Sequence, residues 1–370
     1  MTEKGIILLS NVFILFLVLI TQVLIPIISR RDILLGVKIP EEKTKTPEVK
    51  GIVKGFRREN IIVGVFAIFI ISLIIYYFNN ILLLSLSPLV FIGILFLVYM
   101  RWNKKLKELK EEKKWEKLAS NIAVVDVKFS RDKTKTLGIW NKWMVIPLII
   151  IVGNMVLSLV IYPSLPAKVP THWDFQGNIN GYMDKSIFVA LLMPIFQLFI
   201  VAIMYLAYYA MIKSKQQIEP KNPEVSLNKN IIFRKIWAIY FLVTTILLEI
   251  LFTVLNMMVL GLIEDIRISN YIGIIFPGIM VIGAIIISIK LGQGGDRLRI
   301  DDEEYSNEYD IDDDRLWKLG NTIYYNPEDP SVFVEKRIGV GWTVNIGRPL
   351  GLILLVIPFI ILIITLVLSI

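Results

Sequence analysis

Residues 167–186, read as AKVPTHWDFQGNINGYMDKS, form a polar island between two long apolar runs of the chain. The island holds His172, the only histidine, with Asp174, Asp184 and Lys185 close by in sequence. A helical run of about 18 or more apolar residues is long enough to cross the ~30 Å hydrocarbon core of a bilayer. The sequence therefore predicts that the island is a loop between two membrane-spanning helices.

The composition of the whole chain indicates many such helices. Of its 370 residues, 55% are apolar and only 19% are charged, whereas soluble domains have about 25% charged residues. The apolar runs are residues 6–28, 61–78, 81–100, 144–162, 187–212, 235–263, 271–290 and 350–370. The prediction is an all-α integral membrane protein with about eight transmembrane helices and a small mixed α/β segment in the cytoplasm.

The Lys and Arg residues predict which side of the membrane each loop faces. All but four of the 40 lie in or beside alternate loops, and the exceptions are Lys4, Lys168, Lys185 and Arg267. Short loops rich in these residues stay in the cytoplasm. We therefore expect a multi-pass protein of the cell membrane with both termini extracytoplasmic. The first run is interpreted as a retained span, because it exceeds the ~7–15 apolar residues of a cleaved signal sequence.

The alternation of apolar and charged stretches divides the chain into six predicted regions. They are an N-terminal three-span region (1–100), a cytoplasmic helix with a short strand at 123–129 (101–143), a two-span unit with the extracytoplasmic loop 163–186 (144–212), a second two-span unit (213–290), a cytoplasmic acidic linker followed by a hairpin-like segment (291–349), and the last transmembrane helix (350–370). The hairpin-like segment is predicted from strand-like stretches 322–325 and 332–335 around a turn. The acidic stretch 301–314 is typical of a solvated, disordered linker.

The first basic loop contains an apolar turn. Gly36 and Pro40 can set a backbone turn at the membrane surface, with Ile33, Leu34 and Val37 dipping into the interface. On chemistry alone, an ordinary interfacial loop is the favoured interpretation of these residues.

Residue counts exclude several classes of function. The absence of Cys excludes disulfides and thiolate chemistry, and a single His argues against a multi-histidine metal site. The cations that give the net charge of +8 lie beside the spans. The lipid bilayer is therefore the expected partner, and direct binding of nucleic acid is not expected. No paired acid, nucleophile or metal constellation can be assembled, so we expect neither an enzyme nor a bound cofactor.

One span carries an ionisable residue. Glu249 lies near the centre of the sixth run, and Thr253 and Asn256 share its helical face. Such residues usually face a cavity or a polar partner. A neutral Glu249 hydrogen-bonded to Asn154 or Gln197 is one interpretation. Contact with a ligand and coupling to proton movement are the others.

The island also carries a family pattern. The run Pro170-Thr171-His172-Trp173-Asp174, followed by Gly177, Gly181, Asp184 and Lys185, resembles the domain of unknown function shared by the SdpI-type immunity proteins of Gram-positive bacteria. Residues 36–40 and 317–345 look like companion elements of longer members. The resemblance implies a membrane protein that protects the cell against a secreted antimicrobial peptide and helps to signal its presence.

Three functions follow from these observations. The first is an immunity or sensing protein in which His172, Trp173, Asp174, Asp184 and Lys185 form a docking surface for an extracellular peptide, with a cytoplasmic regulator as a further partner. A self-contained structural cap is the alternative reading of the same loop. The second function is a secondary transporter that uses the intramembrane carboxyl group. A membrane enzyme is the third, and it lacks a catalytic constellation.

Overall fold

The structure is a computed structural model that describes residues 3–115, 139–174, 178–218, 223–263, 267–299 and 313–368. These residues are mostly helical. The helices are α1 (Glu3–Ile28), α2 (Pro47–Phe78), α3 (Ile81–Glu112), α4 (Val145–Ile161), α5 (Ile187–Lys213), α6 (Pro223–Val259), α7 (Arg267–Leu291) and α8 (Pro349–Leu368). The strands are β1 (Ile33–Leu34), β2 (Val37–Lys38), β3 (Lys168–Trp173), β4 (Ile179–Asp184), β5 (Trp317–Lys318), β6 (Ile323–Tyr324), β7 (Phe333–Glu335) and β8 (Trp342–Val344).

The long apolar helices are compatible with the predicted class of protein. Seven helices of the described residues, α1 to α7, are long and apolar enough to cross a membrane. Helix α8 covers the eighth predicted run, and its stretch Pro349–Ile361 is a shorter apolar helix. The described part of the chain is therefore mostly helical with seven candidate membrane spans, and the number of spans stays a prediction.

Helices α2 and α3 are joined by only two residues. Asn79 adopts a left-handed conformation with φ of 44°. The side chain of Asn80 then caps α3, because its Oδ1 accepts from the backbone N–H groups of Leu82 at 2.8 Å and Leu83 at 3.3 Å. Both conformations suit asparagine, so these two residues form a tight turn between the helices.

The chain divides into two compact units by its internal contacts. The first unit comprises Met1–Ile7, Val127–Ile212 and Arg234–Gly283, and the second comprises Leu8–Asp126, Lys213–Phe233 and Ala284–Ile370. The first unit contains the polar island.

A small β-hairpin lies at the centre of the second unit. Strands β1 and β2 pair around Leu35 and Gly36, which both have positive φ, as a two-residue hairpin turn requires. A Cβ atom at residue 36 would lie 2.5 Å from the hydroxyl of Tyr99, so only glycine fits this position. The Tyr99 hydroxyl in turn contacts the carbonyl oxygens of Leu35 and Gly320.

The apolar residues of this hairpin are buried within the unit, so the prediction that they dip into the membrane interface is wrong. Ile33, Leu34 and Val37 are all less than 10% exposed. Leu34 and Val37 pack in one cluster with Phe56 of α2 and Leu106 of α3. Burial against two helices stabilises these side chains by about 1.5–3 kcal/mol each, more than a partly wet interface provides.

The end of the acidic stretch is also part of this unit. Asp313 and Asp314 both pair with Arg337, and Lys110 Nζ lies 2.7 Å from Asp314 Oδ2. The prediction of a solvated linker is therefore wrong for these two residues, because buried cations from distant parts of the chain neutralise them. Residues 300–312 lie outside the described residues, as does the predicted strand at 123–129.

The strands predicted at 322–325 and 332–335 exist as β6 and β7. They do not pair with each other, since β6 pairs with β5 and β7 pairs with β8. Asn345 holds the turn between β6 and β7. Its Nδ2 donates to the carbonyl oxygen of Asn326 at 2.8 Å, and its Oδ1 accepts from the backbone N–H of the same residue at 3.0 Å. The turn is therefore hydrogen-bonded to Asn345, which directly follows β8, and it does not close a hairpin of β6 and β7.

Candidate functional site

The polar island folds as a β-hairpin between α4 and α5. Strands β3 and β4 are antiparallel, with Lys168 opposite Asp184 and Trp173 opposite Ile179. The register shifts between Pro170 and Trp173, so the ladder is bulged near the end of the hairpin. Residues 175–177, which join the two strands, lie outside the described residues.

The base of the hairpin is fixed to the ends of three helices. Val169 is fully buried and packs in a cluster with Val189 of α5 and Val259 of α6. Lys185 Nζ donates to the carbonyl oxygens of Pro163 at 2.8 Å and Leu165 at 2.9 Å. These contacts hold the hairpin in one orientation on the first unit.

The histidine lies in the middle of the bulged ladder. His172 is exposed, and its Nδ1 contacts Oδ1 of Asn180 on the opposite strand. A Cβ atom at Gly181 would lie 2.7 Å from the Cβ of His172. Glycine at this position therefore allows the close approach that sets the orientation of the imidazole ring.

The two aspartates of the hairpin have different surroundings. Asp174 Oδ1 accepts from the backbone N–H of Asn178 at 2.8 Å, and Asp174 Oδ2 accepts from Asn178 Nδ2 at 2.9 Å. This carboxylate closes the end of the hairpin. Asp184 is exposed at its base, and Trp173 is half-buried. The structure thus brings all five predicted residues onto one hairpin, with Asp174 and Lys185 bonded to the hairpin and its flanking chain.

Three exposed apolar residues of β4 were missed by the sequence analysis. Tyr182 is 54% exposed, and Ile179 and Met183 are each 40% exposed. Isolated apolar residues on a surface are ordinary, but here three lie on one six-residue strand, and strand geometry places the adjacent Tyr182 and Met183 on opposite faces of the hairpin. The signal that could have found them is the presence of three apolar residues in the otherwise small and polar stretch 179–184.

A set of buried polar side chains links α4, α5 and α6 within the same unit. Asn154 Nδ2 donates to Gln197 Oε1 at 3.0 Å and to Thr253 Oγ1 at 2.7 Å. About one helical turn along, Asn256 Nδ2 donates to Ser158 Oγ at 3.1 Å. Asn154 and Asn256 thus both make hydrogen bonds between helices.

Glu249 lies beside these polar side chains, but its carboxyl group makes no hydrogen bond with them. Gln197 Nε2 donates to the backbone carbonyl oxygen of Glu249 at 3.0 Å, and Asn154 bonds elsewhere. Within the described residues, neither carboxyl oxygen of the fully buried Glu249 has a hydrogen-bond partner. The interpretation of a carboxyl group bonded to Asn154 or Gln197 is therefore wrong. A buried polar group without a partner is the kind of group that binds a proton or a ligand.

No group of three or more His, Cys, Asp or Glu side chains in the described residues could hold a metal ion. The described residues of the first unit offer hydrogen-bonding and apolar side chains at the hairpin and a buried carboxyl group without a hydrogen-bond partner at Glu249.

Two parts of the chain match known domains, both without an assigned function. Residues 149–198 match the domain of unknown function DUF1648, which here covers most of α4, the whole hairpin and the first part of α5. Residues 327–352 match the family of unknown function DUF5808, which here covers the turn held by Asn345, strands β7 and β8, and the start of α8. No curated protein and no solved structure matches the chain. The part of the chain that the structure describes is thus mostly helical, with seven helices long and apolar enough to cross a membrane, and the chain carries these two domains.

Proposed function

We propose that this chain is a multi-pass bacterial membrane protein similar to the SdpI-type immunity proteins, with eight spans and both termini outside the cell. In this proposal the β3–β4 hairpin lies on the extracytoplasmic side. It recognises an extracellular antimicrobial peptide, and recognition leads to protection of the cell or to a signal. The match of residues 149–198 to a domain that includes the hairpin supports treating α4, the hairpin and α5 as one functional element.

The observation that carries the proposal is the contrast between the residues that fix the hairpin and the residues that it exposes. Its base is fixed by Val169 and Lys185, whereas His172, Tyr182 and Met183 are exposed. A rigid surface that presents exposed aromatic and apolar side chains is typical of recognition sites, because little conformational entropy is lost on binding.

The hairpin also has backbone groups that a peptide can use. Strands β3 and β4 form a two-stranded sheet, so the outer edge of each strand has no partner strand within the described residues. An extended peptide can add to such an edge through main-chain hydrogen bonds, while its side chains contact the exposed face. The expected ligand is a peptide with an extended apolar segment.

A secondary transporter is the second candidate, and one observation favours it. The fully buried carboxyl group of Glu249 has no hydrogen-bond partner within the described residues. A carboxyl group in this state can take up and release a proton or meet a cationic ligand, as transport sites in the membrane do.

The hairpin is tested by removal of its exposed side chains. We expect Tyr182→Ala combined with Met183→Ala to abolish the protection that the parent chain gives, because the apolar contact surface is lost while the buried base remains. The measurement is survival of cells that carry each variant during challenge with secreted antimicrobial peptides against which the parent protects. Phe188→Ala is the matched control, since Phe188 is 58% exposed but lies in α5.

Loss of protection in a double variant that still accumulates in the membrane supports recognition by the hairpin. Unchanged survival would contradict it, and the structural cap would then be the better interpretation.

The orientation is tested by fusion of reporters to the loops. We expect fusions after Asn79, Ser186 and Ile370 to report the outside, and fusions after Lys113 and Asn222 to report the cytoplasm. The physical reason is the restriction of nearly all Lys and Arg residues to alternate loops. A cytoplasmic signal after Ser186 would exclude an extracellular ligand for the hairpin. A cytoplasmic signal after Ile370 alone would remove α8 from the spans.

A further inference from the structure

The second unit contains a cavity of about 430 Å³ that none of the functions above uses. It lies where α1 and α7 end and where α2 begins, since Pro26, Arg297 and Val53 all line it. Its lining is strongly basic. Six of the eleven lining residues are Lys or Arg, namely Arg31, Lys45, Lys50, Lys54, Arg57 and Arg297.

Most of this positive charge is not neutralised. Lys50, Lys54 and Arg57 lie on one face of α2 by their spacing, and they have no ion-pair partner in the described part of the chain. Glu41 is the only carboxylate among the lining residues, and its Oε1 lies 3.9 Å from Arg31 NH1. An anion that enters the cavity therefore meets several cations at once.

Two donors of the cavity are buried and unused. The Nε atoms of Arg57 and Arg297 have no hydrogen-bond partner in the described residues, although solvent does not reach them. Burial lowers the pKa of the Arg297 guanidinium, and the neighbouring Asp296 opposes that shift. Asp296 Oδ2 accepts from the backbone N–H of Arg31 at 2.6 Å, so this carboxylate is engaged with the backbone. A phosphate oxygen is an acceptor that suits guanidinium donors of this kind.

We propose that this cavity binds the phosphate group of an anionic phospholipid. The preference for a lipid over a soluble phosphate comes from α2, which changes from basic to apolar within one turn after Arg57. Ile61 and Val65 continue the same side of the helix and are 48% and 56% exposed. The headgroup therefore binds among the cations, and an acyl chain lies along these exposed side chains. Basic pockets at the cytoplasmic ends of membrane helices bind anionic headgroups in this way.

The test uses the purified full-length chain in a neutral detergent and measures its melting temperature. Dioctanoyl phosphatidylglycerol is titrated as the anionic probe, dioctanoyl phosphatidylcholine as the zwitterionic probe, and inorganic phosphate as the soluble probe. We expect a saturable rise in melting temperature with phosphatidylglycerol only. An equal rise with phosphatidylcholine would overturn the charge-based site, and an equal rise with inorganic phosphate would overturn the lipid as its source.

Substitutions of residues that line the cavity test whether the lipid binds there. Lys54→Gln combined with Arg57→Gln is expected to weaken the apparent affinity for phosphatidylglycerol about tenfold, because each removes a cation from the cavity. Glu41→Gln is expected to strengthen it, because the one carboxylate of the lining is neutralised. Arg58→Gln is the matched control, since Arg58 is exposed on α2 and does not line the cavity.

The lipid-free melting temperature shows whether each variant is folded. A double variant that is folded and binds phosphatidylglycerol as the parent does would overturn the proposal. The same loss of affinity in Arg58→Gln as in the double variant would also overturn it, because the attraction would then be a general effect of surface charge.

Discussion

Replacement of Arg337 by methionine is expected to destabilise the second unit by about 3–5 kcal/mol, the range measured when one partner of a buried ion pair is removed. The Arg337 side chain is fully buried. Its guanidinium pairs with Asp313 and Asp314, and NH1 donates to the carbonyl oxygen of Gly36 at 3.2 Å. Methionine leaves two carboxylates without this cation and removes one of the two side-chain donors to the turn carbonyl oxygen. The measurement is the free energy of unfolding in detergent.

Two further variants separate charge from packing. Asp313→Asn introduced together with Arg337→Met is expected to recover part of the lost stability, because Asp314 keeps its pair with Lys110 and no unpaired carboxylate remains at residue 313. Lys318→Met is the matched control, since Lys318 is an exposed cation of the adjacent strand β5. Its effect is expected to stay within about 0.5 kcal/mol, as for most surface substitutions. An equal effect of Arg337→Met and Lys318→Met would contradict the structural role of the buried ion pairs.

The long helices could be predicted because their signal is local. A run of apolar residues as long as 61–78 usually forms a membrane-spanning helix, and this prediction does not depend on the rest of the chain. The turn at Asn79 and the bonding face of Asn154 were predictable for the same reason. In each case the decisive residues lie within one or two helical turns of each other.

The centre of the second unit could not be predicted because its partners are far apart in sequence. The carbonyl oxygen of Gly36 accepts from Asn321 Nδ2 at 2.8 Å and from Arg337, about 300 residues later. The sequence of an acidic stretch indicates a solvated segment when the cations that neutralise it are not known. Here those cations are Lys110 and Arg337, which lie in separate regions of the sequence. Local composition contains no information about such pairs.

The candidate site was predictable in place but not in detail. The glycine, proline and charged residues of the stretch 167–186 indicated that the candidate site lies there. The hairpin register then decided that Lys185 holds the base and that Tyr182 is exposed, and neither outcome follows from residue type alone. For Glu249, helical spacing gave the correct face, whereas the rotamers of Asn154 and Gln197 decided that its carboxyl group has no partner.

Glu249→Leu is expected to raise the free energy of unfolding by about 1–2 kcal/mol. A buried polar group without a hydrogen bond costs about 1–3 kcal/mol, and leucine fills a similar volume without that cost. Glu249→Gln is expected to leave stability nearly unchanged, because the amide group would also be buried without a partner. Gln197→Leu is the opposing control, since it removes the hydrogen bonds to Asn154 and to the Glu249 carbonyl oxygen. It is expected to lower stability by about 1–3 kcal/mol.

Activity measured on the same variants decides between the two proposed functions. If the hairpin alone recognises a peptide, both Glu249 variants keep full protection, because the base of the hairpin packs on Val259 and Leu260 and does not involve the carboxyl group. If the protein is a transporter, both variants lose activity while they remain folded, because neither side chain can ionise. A Glu249→Leu variant that is more stable than the parent and has no activity would show that the carboxyl group is retained for function at a cost in stability, and it would favour the transporter. A less stable Glu249→Leu variant would mean that the carboxyl group has a partner after all.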